Sequence, residues 1–347
     1  MKVVITGCGR HSKSLVQSLK NNVDGREVEV IGINNSPANI LRSDVDEAII
    51  APSITDPDYI DWLLDLCTRK KVDVILPYIT AELPILAANR EKLESEGTKV
   101  SVASERTLMV ANDKVELARM FPKVMPRQTV VRSSAEVRSF ARSIGYYTGT
   151  PLCCKLADKC GGTGFAILDE KKYLYIGSFN KMGVSRYISI DQLCEIADKV
   201  DVDIILQEYV AGTDYSVCIL ANKGRVELEC GFVGYAMEYG AVTHGEIVKN
   251  EMAYDFCRAI TKVLELDGNA CFDFILRTKD NTPLEVCSPV LLECNPRISA
   301  TIPFIAKAGA DLVYLRCKQL LGEPIDTNIS FDYGLKMVKY YDAHYYR

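Results

Sequence analysis

Leu292-Glu-Cys-Asn-Pro-Arg297 sets a carboxylate, an amide and a guanidinium at alternate positions, and the run Ala270-Cys-Phe-Asp-Phe-Ile-Leu276 before it holds one acid among apolar residues. Strand side chains alternate between faces, so Glu293, Asn295 and, past the proline, Arg297 fall on one side. Asp273 stands in a strand that would not tolerate an unpaired carboxylate. Two chemistries relieve it. Oxygen-only donors of this kind suit Mg²⁺, which takes few protein ligands and leaves its other positions to phosphate and water. Alternatively, Asp273 or Glu293 pairs with Arg297 in a buried salt bridge.

Around these residues, from about 202 onward, strands dominate: Ile204–Tyr209, Tyr215–Leu220, Arg225–Val233, Ala270–Arg277 and Pro283–Cys294. Asn222-Lys-Gly224 and Lys279-Asp-Asn-Thr282 have hairpin-turn chemistry. Helices are predicted over about Glu251–Leu266 and Ile302–Leu321, giving an antiparallel sheet backed by helices. Between about 112 and 200, Asn112-Asp113-Lys114 opens a helix. Capping boxes at Ser133-x-x-Glu136 and Ser189-x-x-Gln192 open two more, the first closed by Gly145. Pro151–Leu156 and Phe165–Leu168 read as two strands joined by the glycine-rich turn 158–164.

From residue 1 to about 110, β-branched runs alternate with helical patterns: Val3–Thr6, Val28–Ile33, Ala48–Ile50, Val72–Leu76 and Lys99–Val102. Such continuous apolar runs suit a parallel sheet covered on both faces. Helices are predicted from Thr55-Asp56-Pro57 and over Ala81–Ser95, the latter ended by Gly97. The fold class is α/β, and three units are expected: 1–111, 112–201 and 202–347.

Two smaller groups carry chemistry. Lys155 precedes the loop Gly161-Gly-Thr-Gly164, so an ammonium and free backbone N–H groups could converge on one polyphosphate; a solvated edge lysine is the plainer reading. Gln207-Glu208-Tyr209-Val210 leaves an apolar run, and its backbone could pair with adenine while Asp214 accepts from ribose hydroxyls; an ordinary strand and turn competes with this. Gly7-Cys8-Gly9 follows the first strand as a dinucleotide fingerprint would, but Ser12 stands where the third glycine belongs. Asn34-Asn35 likewise replaces the ribose-binding acid, so a nicotinamide oxidoreductase is disfavoured.

Composition narrows the field. The 347 residues are enough for two or three packed units, and 41 basic against 46 acidic side chains leave a net charge of −5. No run of one sign appears, so a nucleic-acid partner is not expected. No stretch of 18 apolar residues occurs, and MKVVITGCGR lacks the apolar core of a secretion signal, so no membrane partner and a cytoplasmic setting are expected. The 13 cysteines form no CxxC pair and read as reduced, buried thiols. The tyrosine-rich tail 326–347 is expected to pack on the body or on a second subunit of a homodimer.

In this order the residues resemble the ATP-grasp superfamily, which includes D-alanine:D-alanine ligase, biotin carboxylase and the carbamoyl phosphate synthetase large subunit. The resemblance spans essentially the whole chain. It is nearest to the carbamoyl phosphate synthetase-like, carboxylate–amine ligase branch, through Asp113-Lys114, Lys155, the glycine loop, Gln207–Val210, Thr243-His244-Gly245 and Leu292–Arg297. It implies a Rossmann-like preceding domain followed by a two-lobed ATP-grasp module. Lys114 and Lys155 would then contact ATP phosphates under the mobile loop Gly161, Gly162, Thr163 and Gly164. Gln207, Glu208, Tyr209 and Val210 would border adenine, with Glu208 and Val210 meeting it through their backbone, and Asp214 would hold ribose. Asp273, Glu293 and Asn295 would carry one or two Mg²⁺ ions, or Mn²⁺, and Arg297 would sit where an acyl phosphate forms. A small-molecule carboxylate would attack the γ-phosphorus, and the acyl phosphate would react with an amine; an ATP-binding regulatory protein without ligase activity is the alternative. Asp214 is shorter than the family's usual glutamate, and Cys160-Gly-Gly-Thr-Gly164 replaces a more serine-rich loop. Arg10, Glu82 and His244 are candidates for the acceptor side.

Overall fold

The computed structural model describes residues 1–9, 11–41, 43–157, 164–172, 187–238, 240–278 and 282–340. The first sheet comes from β1 (Lys2–Thr6), α1 (Lys13–Lys20), β2 (Glu29–Asn34), α2 (Pro37–Ile40), β3 (Glu47–Ile50), α3 (Tyr59–Lys70), β4 (Val74–Pro77), α4 (Leu83–Ala88), α5 (Arg90–Glu94) and β5 (Lys99–Val100). Its strands are all parallel, in the order β3-β2-β1-β4-β5. β1, β2 and β4 bury apolar residues on both faces, the reason their sequences read as continuous runs. α3 begins later than expected because the Asp56 carboxylate accepts from the Asp58 N–H, closing a turn before the helix. The predicted helix Ala81–Ser95 is broken at Asn89, whose side-chain amide donates to the Ile85 carbonyl.

Next come α6 (Glu105–Ala111), α7 (Lys114–Met120), β6 (Gln128–Val131), α8 (Ser134–Ile144), β7 (Leu152–Leu156), β8 (Ala166–Leu168), β9 (Tyr187–Ile188), α9 (Ile190–Lys199) and β10 (Ile204–Glu208). The five strands order as β6-β10-β7-β8-β9, with only β8 and β9 parallel. The Ser189–Gln192 capping box forms in full and Gly145 closes α8 in the left-handed region. Leu152, Cys154, Ile204 and Leu206 face α8 and α9 in a core of their own. By alternation, Cys153, Lys155, Ile205 and Gln207 face the other way. β6 was not foreseen, since its four residues carry no turn signals of their own.

The third sheet is built from β11 (Thr213–Asn222), β12 (Arg225–Glu238), β13 (Ala241–Ile247), α10 (Glu251–Leu264), β14 (Gly268–Arg277), β15 (Ser288–Asn295), α11 (Ile302–Ala308), α12 (Leu312–Leu320) and β16 (Lys336–Val338). It is antiparallel throughout, ordered β15-β14-β11-β12-β13-β16. Lys223 and Gly224 both take positive φ, as the two-residue turn requires. The second predicted hairpin turn falls largely on 279–281, outside the described residues. The predicted helix Ile302–Leu321 is two helices because Gly309, at φ 145°, turns the chain and Asp311 caps the next one. β13 and the outer third of β12 were not foreseen, and Gly234, Gly240 and Gly245 interrupt their strand pattern.

One face of the first sheet and one face of the third share a core through α1, α11 and α12, with Leu15, Leu19, Phe232, Ile305 and Tyr314 among its members. Polar ties reinforce this contact: Ser18 donates to Asp311 at 2.6 Å, and Lys318 and Tyr314 both donate to Asp24, at 2.7 and 2.8 Å. The opposite face of the third sheet packs on α10 and on α6–α7, through Ala111 and Leu117. No helix among the described residues is long and apolar enough to cross a membrane.

Candidate functional site

Register brings the two acids together. Asp273 on β14 lies directly opposite Glu293 on β15, next to a bulge, and opposite Ser216 on β11. The Asn295 side-chain amide donates to Asp273 Oδ2 at 2.9 Å and to Glu293 Oε1 at 3.2 Å, so one nitrogen bridges both carboxylates. Ser216 donates to Asp273 Oδ1 at 2.6 Å. Burial, and then the negative charge of Glu293, push the Asp273 carboxyl well above the ordinary carboxylate range. Burial also raises Glu293, but the Lys114 ammonium outweighs it and holds that carboxyl low. The pair is thus asymmetric, one acid inclined to keep a proton and one firmly ionised. Neither makes an ion pair with Arg297 among the described residues; the partner is Lys114.

Lys114 reaches the site because α7 lies beside β15. Asp113 caps α7, accepting from the N–H groups of Val115 and Glu116 at 2.8 and 3.1 Å, and Gln128 donates to the Lys114 carbonyl at 2.8 Å. From that fixed backbone Lys114 Nζ lies 2.8 Å from Glu293 Oε2. Lys155 approaches from β7. Burial lowers the affinity of its ammonium for a proton, with the charge of Glu293 opposing and that of Lys114 adding to that effect. Of the glycine loop only Gly164 is described, at φ 76° with Leu156 within 3 Å of where a Cβ would stand; Gly161, Gly162 and Thr163 lie outside the described residues.

Gln207 is buried on the face shared with Lys155, and the Glu208 N–H is committed to the Arg127 carbonyl at 2.9 Å. The Glu208 carboxylate lies between Arg127 and Arg277, at 3.3 and 3.4 Å. Tyr209 donates its N–H to Pro151, and Val210 is buried beyond it. Asp214 is exposed at the start of β11, on the same face as Ser216 two residues on.

Arg297 turns back after Pro296, its N–H bonded to the Asn295 carbonyl at 2.8 Å. Its guanidinium donates to Asn295 Oδ1 at 3.3 Å and to Thr80 Oγ1 at 2.8 Å, joining the acid pair to the loop after β4. Two residues from Thr80, Glu82 is buried against Thr6, which donates to it, and burial raises its carboxyl to about 7. Arg10 lies outside the described residues. His244 is exposed on β13 beside Tyr235, with ring centroids 5.1 Å apart. The Gly7–Ser12 turn is closed on itself: Ser12 accepts from Gly9 N–H at 2.9 Å, and Ile79 fills the space beside Gly7. The Gly9 N–H and, through Ile33, the Cys8 N–H are therefore taken.

Ser216, Thr80 and Arg277 were not foreseen, because each enters through strand register or loop docking. Among the described residues no three His, Cys, Asp or Glu side chains form a metal-holding group. Two carboxylates within reach of one amide are instead a donor set for a hard cation that completes its shell with phosphate and water, so the residues fit Mg²⁺.

Comparison with known proteins agrees with this architecture. Residues 3–101 match the family described as PylC-like, N-terminal domain, and residues 201–342 match ATP-grasp in the biosynthetic pathway with Ter operon. The carbamoyl phosphate synthase large chain of Rubrobacter xylanophilus is 23% identical over 306 residues, 86% of this chain and 27% of that protein. That of Pseudothermotoga lettingae is 24% identical over 307 residues, again 86% of this chain and 25% of that protein. The chain thus spans about a quarter of the length of these relatives. Among solved structures, the biotin carboxylase domain of Hydrogenobacter thermophilus 2-oxoglutarate carboxylase, with MgADP, ADP and bicarbonate, superposes with a TM-score of 0.67 at 16% identity, covering 95% of this chain and 72% of that one. The ADP complex of N5-carboxyaminoimidazole synthetase from Staphylococcus aureus gives 0.67 at 13% identity, covering 95% and 79%.

Proposed function

Because this chain belongs to the ATP-grasp superfamily, we propose that it is an ATP-dependent ligase that activates a small-molecule carboxylate as an acyl phosphate and passes the acyl group to an amine or similar nucleophile. The observation that carries this reading is the convergence of Lys114 and Arg297 on the bridged group Asp273, Glu293 and Asn295.

Lys114 and Lys155 bind the phosphates, together with the glycine run Gly161, Gly162, Thr163 and Gly164. The Glu208 carbonyl and the Val210 N–H meet adenine, beside Gln207 and Tyr209, and Asp214 holds ribose. Asp273, Glu293 and Asn295 hold Mg²⁺, or Mn²⁺. When bound, the cation neutralises charge on the phosphoryl oxygens. A carboxylate oxygen of the substrate attacks the γ-phosphorus as the bond to the ADP oxygen breaks. The amine nitrogen then attacks the acyl carbon, inorganic phosphate leaves, and the amine loses a proton. Arg297 orients and stabilises the anion at the acyl phosphate, its guanidinium steadied by Thr80 and Asn295. The three units 1–111, 112–201 and 202–347 serve as acceptor side, phosphate-covering lobe and metal-bearing lobe. Twelve described cysteines, all free and buried, go with a cytoplasmic setting and need no catalytic role.

The test is calorimetric titration with a non-hydrolysable ATP analogue and Mg²⁺, in parallel with NAD, followed by ADP release on pools of carboxylates and amines. Binding that Mg²⁺ strengthens and that is lost in Lys155→Ala, with ADP release that needs a carboxylate, is the expected result. Binding of NAD alone would sink the proposal, while ATP binding with no ADP release on any pool would favour a regulatory protein of the same fold.

A further inference from the structure

We propose that Lys114 holds the carboxylate pair closed until a nucleotide arrives, so that the chain takes up nucleotide before its divalent cation. This rests on the reading of Asp273, Glu293 and Asn295 as the metal-bearing residues.

Each of the four carboxylate oxygens faces a donor, three groups serving the four. Asp273 Oδ1 accepts from Ser216 and Oδ2 from the Asn295 amide; Glu293 Oε1 accepts from that same amide and Oε2 from the Lys114 ammonium. The Asn295 oxygen, the atom a cation would need, is turned away and accepts from Arg297 at 3.3 Å. A hard cation entering here competes with Lys114 for Glu293 Oε2 and with Arg297 for the Asn295 oxygen. Displacing Lys114 is opposed while the ammonium has no other anion, since separating a half-buried ion pair leaves a charge uncompensated. The α7 backbone does not give way, because Asp113 and Gln128 pin the first turn. The side chain alone swings.

A polyphosphate is the class of ligand that resolves this. It offers Lys114 new anionic oxygens and so frees Glu293 Oε2. Lys114 then has two successive anions, the acid before binding and the phosphate after it.

The experiment measures Mn²⁺ binding by loss of the free-ion electron paramagnetic resonance signal, without nucleotide, and ADP binding by calorimetry in EDTA, on the full chain. Wild type should bind ADP in EDTA yet take up no Mn²⁺ at submillimolar concentration. Lys114→Met and Lys114→Gln should bind Mn²⁺ alone at least about tenfold more tightly than wild type, and adding Glu293→Gln should abolish that gain. Lys114→Gln leaves Glu293 a neutral donor and so covers the case in which the methionine variant does not fold. Wild type binding Mn²⁺ alone as tightly as the Lys114 variants would overturn the gate and leave the metal reading standing. The gate also falls if neither variant gains Mn²⁺ binding. If, besides, Glu293→Gln in the wild-type background leaves Mn²⁺-dependent ADP binding unchanged, the metal reading falls with it.

Discussion

Asn295 is the residue on which the site's charge arrangement hangs. Its amide lies between two acids that would otherwise repel across a short cross-strand distance. Asn295→Asp would put a third carboxylate there, and we expect it to lower thermal stability at pH 8 more than at pH 5, read from melting curves at both. Glu293→Ala should remove Mg²⁺-dependent ADP release, and retained turnover would exclude the acid as a metal holder. Glu82 predicts a separate pH effect. Burial raises its carboxyl to about 7 from 4.5, so the folded chain keeps a proton that the unfolded chain gives up. Its contribution to stability is therefore whole below about pH 4.5 and declines as pH rises through 7. Glu82→Gln should flatten the stability curve over that interval by up to about 3 kcal/mol, as followed by denaturant unfolding at several pH values.

At the scale of elements, caps and close approaches matter most. The Ser189–Gln192 box ties down the first turn of α9 from both sides. Ser189→Ala should cost about 1 kcal/mol in chemical denaturation while leaving ADP binding intact, since α9 lies behind the face that bears Lys155. On β12, a Cβ at Gly231 would stand 1.9 Å from the Tyr215 hydroxyl, which accepts from Asn250 N–H and donates to the Val248 carbonyl. Gly231→Ala should therefore destabilise the third sheet by about 1–3 kcal/mol, visible as a lowered midpoint in urea.

For the whole molecule, Arg316 carries the tie between the first and third sheets. It is 2% exposed and meets Asp267, the residue before β14, at 2.8 Å, while also donating to Ser101 just past β5. Burial raises the Asp267 carboxyl, but Arg316 more than reverses this and holds it low, so the tie weakens as acidification protonates the acid. Arg316→Ala would leave Asp267 half-buried without its partner and should cost about 3–5 kcal/mol in global unfolding. It should also loosen β14, and with it Asp273, which a fall in ADP affinity at unchanged Mg²⁺ would register. The middle sheet, packed around its own core, should keep its hydrogen-exchange protection in that variant.

The sequence by itself determined the alternation of parallel strands and helices over the first hundred residues, the caps of α7, α8 and α9, and the types of residue at the site. These are properties of a short stretch of chain: apolar period, a capping side chain, a turn with positive φ. It also marked Asp273, Glu293 and Asn295, because acids and an amide at alternate positions in apolar strands need partners. Which partners they took was decided by tertiary structure alone. Ser216 meets Asp273 from 57 positions away and Thr80 meets Arg297 from 217, while Glu293 pairs with Lys114 and not with the alternative partner Arg297. β6, β13 and the outer part of β12 were likewise visible only once paired, since a short or glycine-interrupted strand is stabilised by its neighbours rather than by its own residues. Register and docking between distant segments leave no local trace in a single sequence, and it is they that brought Lys114, Ser216 and Arg297 to Asp273, Glu293 and Asn295.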